Sequence, residues 1–164
     1  MSEPPVFLER QRFSPRLLAV ILAVPLAMGA AILFSLPADA TAPARGAVLM
    51  SVGLPAGLIL VIFASLRMTT RVGGGEIMFG FPLGMSRRVP LSDIEAVEVV
   101  RYRPLRDFGG WGLRIGRMGV MYNARGDQAV RLTLRGGRVV FVGSQRPGEL
   151  AAALRREPRG GGRP

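Results

Sequence analysis

The chain has 164 residues, no cysteine and no histidine, and all 22 of its basic residues are arginine. That composition excludes disulfides, thiolate and imidazole metal sites, histidine general-base chemistry, Schiff-base formation and a lysine-dependent phosphate loop. The net charge of +11 points to an anionic partner: an acidic membrane surface, an acidic protein or nucleic acid. An arginine excess is also what the cytoplasmic flanks of membrane proteins carry, so charge alone selects no ligand.

Residues 1–16 form an N-terminal segment in which Pro4, Pro5 and Pro15 oppose a long helix, and Pro15 suits a helix start. Two apolar runs follow, Leu17 to Leu36 and Ala47 to Leu66, and no charged side chain interrupts either. A helix of about 20 residues spans about 30 Å, the hydrocarbon core of a bilayer. Neither run shows the polar stripe of a soluble amphipathic helix. The pattern predicts a two-helix transmembrane hairpin over 17–66 with a short external link, 37–46. Alanines 19, 23, 27 and 31 form one smooth face, and Gly53 with Gly57 forms a GxxxG pattern. Both suit close helix packing, either within the hairpin or between copies in a homo-oligomer. Pro25 and Pro55 predict kinks, and the absence of ionisable residues within the spans speaks against an ion path.

Arg10, Arg12 and Arg16 precede the hairpin, and Arg67 and Arg71 follow it, while the link carries only Asp39 and Arg45. The positive-inside rule then places both termini in the cytoplasm of a two-pass cell-membrane protein. Ala38-Asp39-Ala40 also matches a signal-cleavage pattern after Ala40, although the apolar run before it is longer than a usual signal core.

From Met68 the apolar period changes to two and glycine punctuates the chain, the signature of short antiparallel strands. Strands are expected over 68–72, 76–81, 86–89 and 94–102, with a turn at Pro82 to Gly84. A hairpin is expected over Val130 to Gly143 around a two-residue Gly136-Gly137 turn. That register sets Arg135 opposite Arg138, Leu134 opposite Val139 and Leu132 opposite Phe141. It gathers Arg131, Arg135 and Arg138 on one basic face. Pro147 and Glu149 suit a helix start, and Leu150, Ala151 and Leu154 give that helix an apolar face. The expected layout is a cytoplasmic β domain over 67–157, closed by one C-terminal helix, and a glycine- and arginine-rich disordered tail over 158–164.

Pro90-Leu91-Ser92-Asp93-Ile94-Glu95-Ala96-Val97, Phe108-Gly109-Gly110-Trp111-Gly112, Tyr122-Asn123 and Gly143-Ser144-Gln145-Arg146-Pro147 with Glu149-Leu150 carry a resemblance to a family. In these stretches and in layout the chain resembles small bacterial membrane proteins that place a pleckstrin-homology-like domain after two helices. The resemblance covers nearly the whole chain and implies a bent barrel of about seven strands with a C-terminal capping helix. It supplies no catalytic residue, and no phosphoinositide-binding function is taken from it.

The segment Arg101 to Arg114 holds the only tryptophan and four arginines. Arg101, Arg103, Arg106, Phe108, Trp111 and Arg114 form the candidate contact loop, an aromatic anchor among cationic donors suited to a partner's acidic groove or to lipid headgroups. The structural alternative is a crossover in which Phe108 and Trp111 plug the domain. Arg131, Arg135 and Arg138 are the second candidate. Asp93 with Glu95 or Glu98 is the only acidic cluster, and so small a domain offers no cleft for paired-carboxylate catalysis. No zinc spacing, RNP pattern or recognition helix points to nucleic acid. The expectation is a membrane-anchored, non-enzymatic scaffold without cofactor that recruits a protein partner. The alternative is a sensor of the anionic leaflet.

Overall fold

A computed structural model describes residues 4–82 and 84–158. The expected tail beyond residue 158, and Leu83 within the expected turn at 82–84, lie outside the described residues. The chain divides into two compact units: Phe13–Leu66, and a β unit that joins Arg67 onward to the residues before Phe13.

The first unit is a pair of helices, α1 (Pro15–Ser35) and α2 (Ala42–Ser65). They are 21 and 24 residues long, both long and apolar enough to cross a membrane, and their outer sides are exposed. Pro15 opens α1 at its first turn, and Pro25 and Pro55 lie inside the helices. The link is shorter than expected, because Pro43 opens α2 early and Arg45 falls in its first turn. There the Arg45 guanidinium donates to the Ala38 carbonyl at 3.1 Å. The helices meet where Gly29 faces Val52, so closely that a Cβ on Gly29 would lie 3.1 Å from a Val52 methyl. Phe13 and Phe63 stack edge to face at 5.2 Å. Neither small-residue face lies in this seam. The four alanines of the α1 stripe are exposed, and a Cβ on Gly53 or Gly57 would meet nothing within 4 Å.

Among the described residues the β unit has nine strands in two sheets, where a bent barrel of about seven strands was expected. The first sheet has the order β1 (Phe7–Arg12), β2 (Arg67–Gly73), β3 (Glu76–Gly80), β4 (Ser86–Pro90), all antiparallel. Strand β1 comes from the N-terminal segment 1–16, where no strand was expected. Its register pairs Phe7 with Val72 and Arg12 with Arg67, so the chain leaves the sheet for α1 and returns from α2 at adjacent positions. A turn Leu91–Asp93 leads to the second sheet. This sheet comprises β5 (Ile94–Arg101), β6 (Gly112–Gly116), β7 (Gly119–Asn123), β8 (Gln128–Leu134) and β9 (Val139–Gly143), in the order β5-β8-β9-β7-β6. Because β8 pairs with both β5 and β9, β7 is left to run parallel to β9, the one exception to the expected antiparallel pattern.

The β8–β9 hairpin departs from the expected register by one residue: Leu132 pairs with Val140 and Arg131 with Phe141. The loop has four residues, 135–138, because the Arg135 amide donates to the Asp93 carbonyl instead of continuing the ladder, and the Leu134 amide closes onto the Arg138 carbonyl. A one-residue slip changes which side chains share a face. Val130, Leu132, Val140 and Val142 therefore lie in the core, and Arg131 shares the outer face with Phe141.

Met68, Val72, Ile77 and Phe79 of the first sheet are fully buried, as are the inner valines and leucines of the second. Phe79 meets Tyr122 edge to face at 5.0 Å. Helix α4 (Pro147–Arg156) forms over the expected residues and buries Leu150, Ala151, Ala153 and Leu154, packing against β1, β2, β5 and β8.

Strand β1 is fastened by polar contacts to the turn before α4. Buried Glu9 accepts from the Ser144 hydroxyl at 2.6 Å and from the Gln145 amide at 2.9 Å. The Gln11 side-chain amide donates to the Gly143 carbonyl at 2.8 Å. Arg146 donates to the Leu8 carbonyl at 3.0 Å and lies over the Phe7 ring.

Candidate interaction trough

The segment between β5 and β6 is a one-turn helix, α3 (Pro104–Phe108), where sequence suggested an irregular loop. Its ends explain it. Pro104 is pre-set for a first helical position. The Asp107 carboxylate reaches back to accept the Arg103 amide at 2.7 Å. Gly109 ends the turn at φ 70°, a left-handed conformation that glycine adopts without strain.

Helix α3 lies over the outer face of the second sheet and makes a small second core. Phe108 stacks edge to face on Tyr102 at 5.7 Å and on Phe141 at 5.2 Å, beside Met121 and Ala129. Two adjoining concavities flank this core, and both are lined by Arg101, Tyr102 and Asp107. The larger, about 560 Å³, is polar and adds Arg103, Arg106 and Asp127. The other, about 420 Å³, has an apolar floor of Val100, Phe108, Met118 and Phe141. Together they form one open trough, cationic in one half and apolar in the other.

The charges of the trough are partly engaged. Arg101 pairs with Asp127 at 3.2 Å, and both side chains are largely exposed. Asp107 is held by the Arg103 amide. The guanidiniums of Arg103 and Arg106 form no ion pair among the described residues. Arg131 lines the apolar half and pairs with Glu98 across the β5–β8 ladder at 3.1 Å.

Tyr102 sits where the halves join. Its hydroxyl accepts from the side-chain amide of buried Asn123. Burial, reinforced by the Asp127 carboxylate, pushes the Tyr102 phenol above its ordinary range, against the opposing pull of the Asn123 hydrogen bond. A raised phenol pKa means that the folded state disfavours tyrosinate. Stability from this site is therefore intact below the unfolded pKa of about 10 and is lost as pH rises beyond it. In an alkaline titration, Tyr102→Phe should remove a tyrosinate absorbance step that otherwise appears only with unfolding. It should also flatten the fall of stability above that pH. An unchanged step would contradict this assignment.

Of the sequence candidates, Arg101, Arg103, Arg106 and Phe108 come together in the trough. Trp111 and Arg114 line neither half. The half-buried Trp111 indole donates to the Gly126 carbonyl at 3.1 Å, and Arg114 donates to the Trp111 carbonyl at 3.2 Å. The second basic face does not assemble. Arg131 is in the trough, Arg135 is in the β8–β9 loop, and Arg138 lines a separate groove. Sequence reasoning missed Asp127, Met118 and Phe141 as trough residues. Each arrives from another strand or turn, and only the Arg101–Gln128 pairing, which puts Asp127 next to Arg101, is a local register clue. No family model, no curated protein and no solved structure matches this chain.

Proposed function

We propose that the protein is a membrane-anchored, non-enzymatic binding module whose pleckstrin-homology-like domain recruits an acidic and apolar segment of a membrane-associated protein. The observation that carries this reading is the two-halved trough: unpaired Arg103 and Arg106 beside an apolar floor that includes buried Phe108 and Phe141. Charged donors select an acidic segment and set orientation, and the buried aromatic floor supplies an anchor pocket. A four-stranded sheet, a second sheet and a C-terminal helix over the core support the pleckstrin-homology-like reading of the domain. The hairpin is the anchor. The Arg12–Arg67 pairing supports a two-pass topology with both ends on one side, and the flanking arginines support the cytoplasmic side. The open glycine face of α2 supports association of copies in the membrane.

Replacing Arg101, Arg103 and Arg106 together by glutamine tests this reading. Exposed arginine pairs contribute about 0.5–1 kcal/mol each, so partner affinity of the full-length protein should fall about ten- to a hundred-fold. In the intact protein, the complex should survive salt well above 0.15 M, where the Debye length is about 8 Å, because its anchor is apolar. Complete loss of association at raised salt would favour docking on the anionic leaflet instead.

A further inference from the structure

A second groove, about 320 Å³, lies where the β6–β7 turn and the β8–β9 loop approach β4. Arg87 of β4, Arg117 of the turn and Arg138 of the loop line it, and the rest of the lining is glycine and aliphatic side chain. It shares only Met118 with the trough. No carboxylate lines it, and its three arginines form no ion pair among the described residues. By contrast, Arg101, Arg131 and Arg146 each hold an acidic side chain.

We propose that this groove binds a phosphate group presented as a monoester. Three cations lining one groove without an acid repel one another, and an anion in the groove would offset that repulsion. Each guanidinium offers a planar fork of donors, and a carboxylate presents only two oxygens, with their lone pairs in one plane, to such forks. A phosphate monoester has three terminal oxygens and accepts donors from three directions, which matches arginines supplied by three separate elements. The aliphatic part of the lining, Met118, Val120, Val139 and Val140, gives room for the ester substituent.

The frame is set without ligand. Arg117 sits in a two-residue turn closed by the Gly116–Gly119 pair. The loop carrying Arg138 is closed by the Leu134 amide at 2.8 Å from the Arg138 carbonyl. Turn and loop are held together by the approach of Gly119 to Val139, where a Cβ would lie 2.3 Å from the carbonyl oxygen. Such preorganisation lowers the ordering cost of binding.

The test is arginine footprinting with phenylglyoxal on the full-length protein in phosphatidylcholine nanodiscs. Inorganic phosphate is titrated at constant ionic strength, and each arginine is read by peptide mass spectrometry. Modification of Arg87, Arg117 and Arg138 should slow saturably, to about a tenth at phosphate ten times its Kd, while Arg103 and Arg106 react unchanged. Arg117→Gln, a change in an exposed turn, should abolish protection of Arg87 and Arg138. Protection seen only when phosphatidic acid is in the nanodisc would identify a lipid headgroup as the source of the phosphate. Equal slowing of every exposed arginine, protection that survives Arg117→Gln, or no protection in either arm would overturn the proposal. Because the two sites share only Met118, these outcomes leave the trough reading untouched.

Discussion

Gly119→Ala should destabilise the β unit by about 2–5 kcal/mol, a large share of the 5–15 kcal/mol that holds an ordinary domain together. Two costs combine. Gly119 has φ 130°, a region that side chains avoid, and the new Cβ would lie 2.3 Å from the Val139 carbonyl oxygen and 3.0 Å from its carbon. Both clashing atoms are backbone, so no rotamer relieves them. The parallel β7–β9 ladder starts one residue later, at Val120–Val140, and has only three paired positions. Forcing the strands apart there releases the β6–β7 hairpin. Gly74→Ala is the control: φ is also positive, at 66°, but a Cβ there would meet nothing within 4 Å. It should cost only about 1–2 kcal/mol. Denaturant unfolding followed by the fluorescence of Trp111, the only tryptophan, reads both in the full-length protein. Equal costs for the two variants would contradict the close β7–β9 approach.

Glu9→Ala should release β1 from the rest of the β unit at a cost of about 3 kcal/mol. The carboxylate is buried and accepts two hydrogen bonds, and its removal leaves the Ser144 hydroxyl and the Gln145 amide without that acceptor. Ser144 also accepts from the Arg146 amide, so the whole turn before α4 is organised around this contact. Glu9→Gln keeps one acceptor oxygen and should recover part of the loss. The readout is amide hydrogen exchange over Phe7–Arg12. Protection should collapse in the alanine variant while the β8–β9 ladder stays protected. Unchanged protection in β1 would mean that its ladder to β2 suffices and that the latch is incidental. The latch matters functionally because β1 leads directly into α1. With β1 and β2 paired, a pull on either end of the hairpin is carried into one sheet.

Helices α1, α2 and α4 were legible in the sequence for simple reasons, whereas the one-turn α3 was not. Uninterrupted apolar runs announce α1 and α2, and Pro147, Glu149 and Leu150 announce α4. Strand β1 was hidden because two of its inward positions are Glu9 and Gln11, so alternation reads as polar on both faces. Its partner strand also lies beyond the hairpin in sequence. The β8–β9 register failed on a long-range contact: Gly136-Gly137 signals a two-residue turn, but the Arg135 amide bonds to Asp93 and draws Arg135 into the loop. The candidate site was half legible. Arg101, Arg103 and Arg106 come from one segment, and their grouping survives folding. Trp111 looked like an anchor because it is the only tryptophan and stands among arginines, yet its indole is tied to Gly126. The apolar floor is built from residues that only the sheet pairing brings together.

Photocrosslinking from position 105 in native membranes tests the binding-module reading most directly. Leu105 is 70% exposed and sits on α3 beside Arg106 of the trough. A discrete protein adduct is expected, and it should fall sharply in yield when Arg101, Arg103 and Arg106 are replaced by glutamine. Adducts to lipid alone, or an adduct unaffected by those replacements, would contradict that reading.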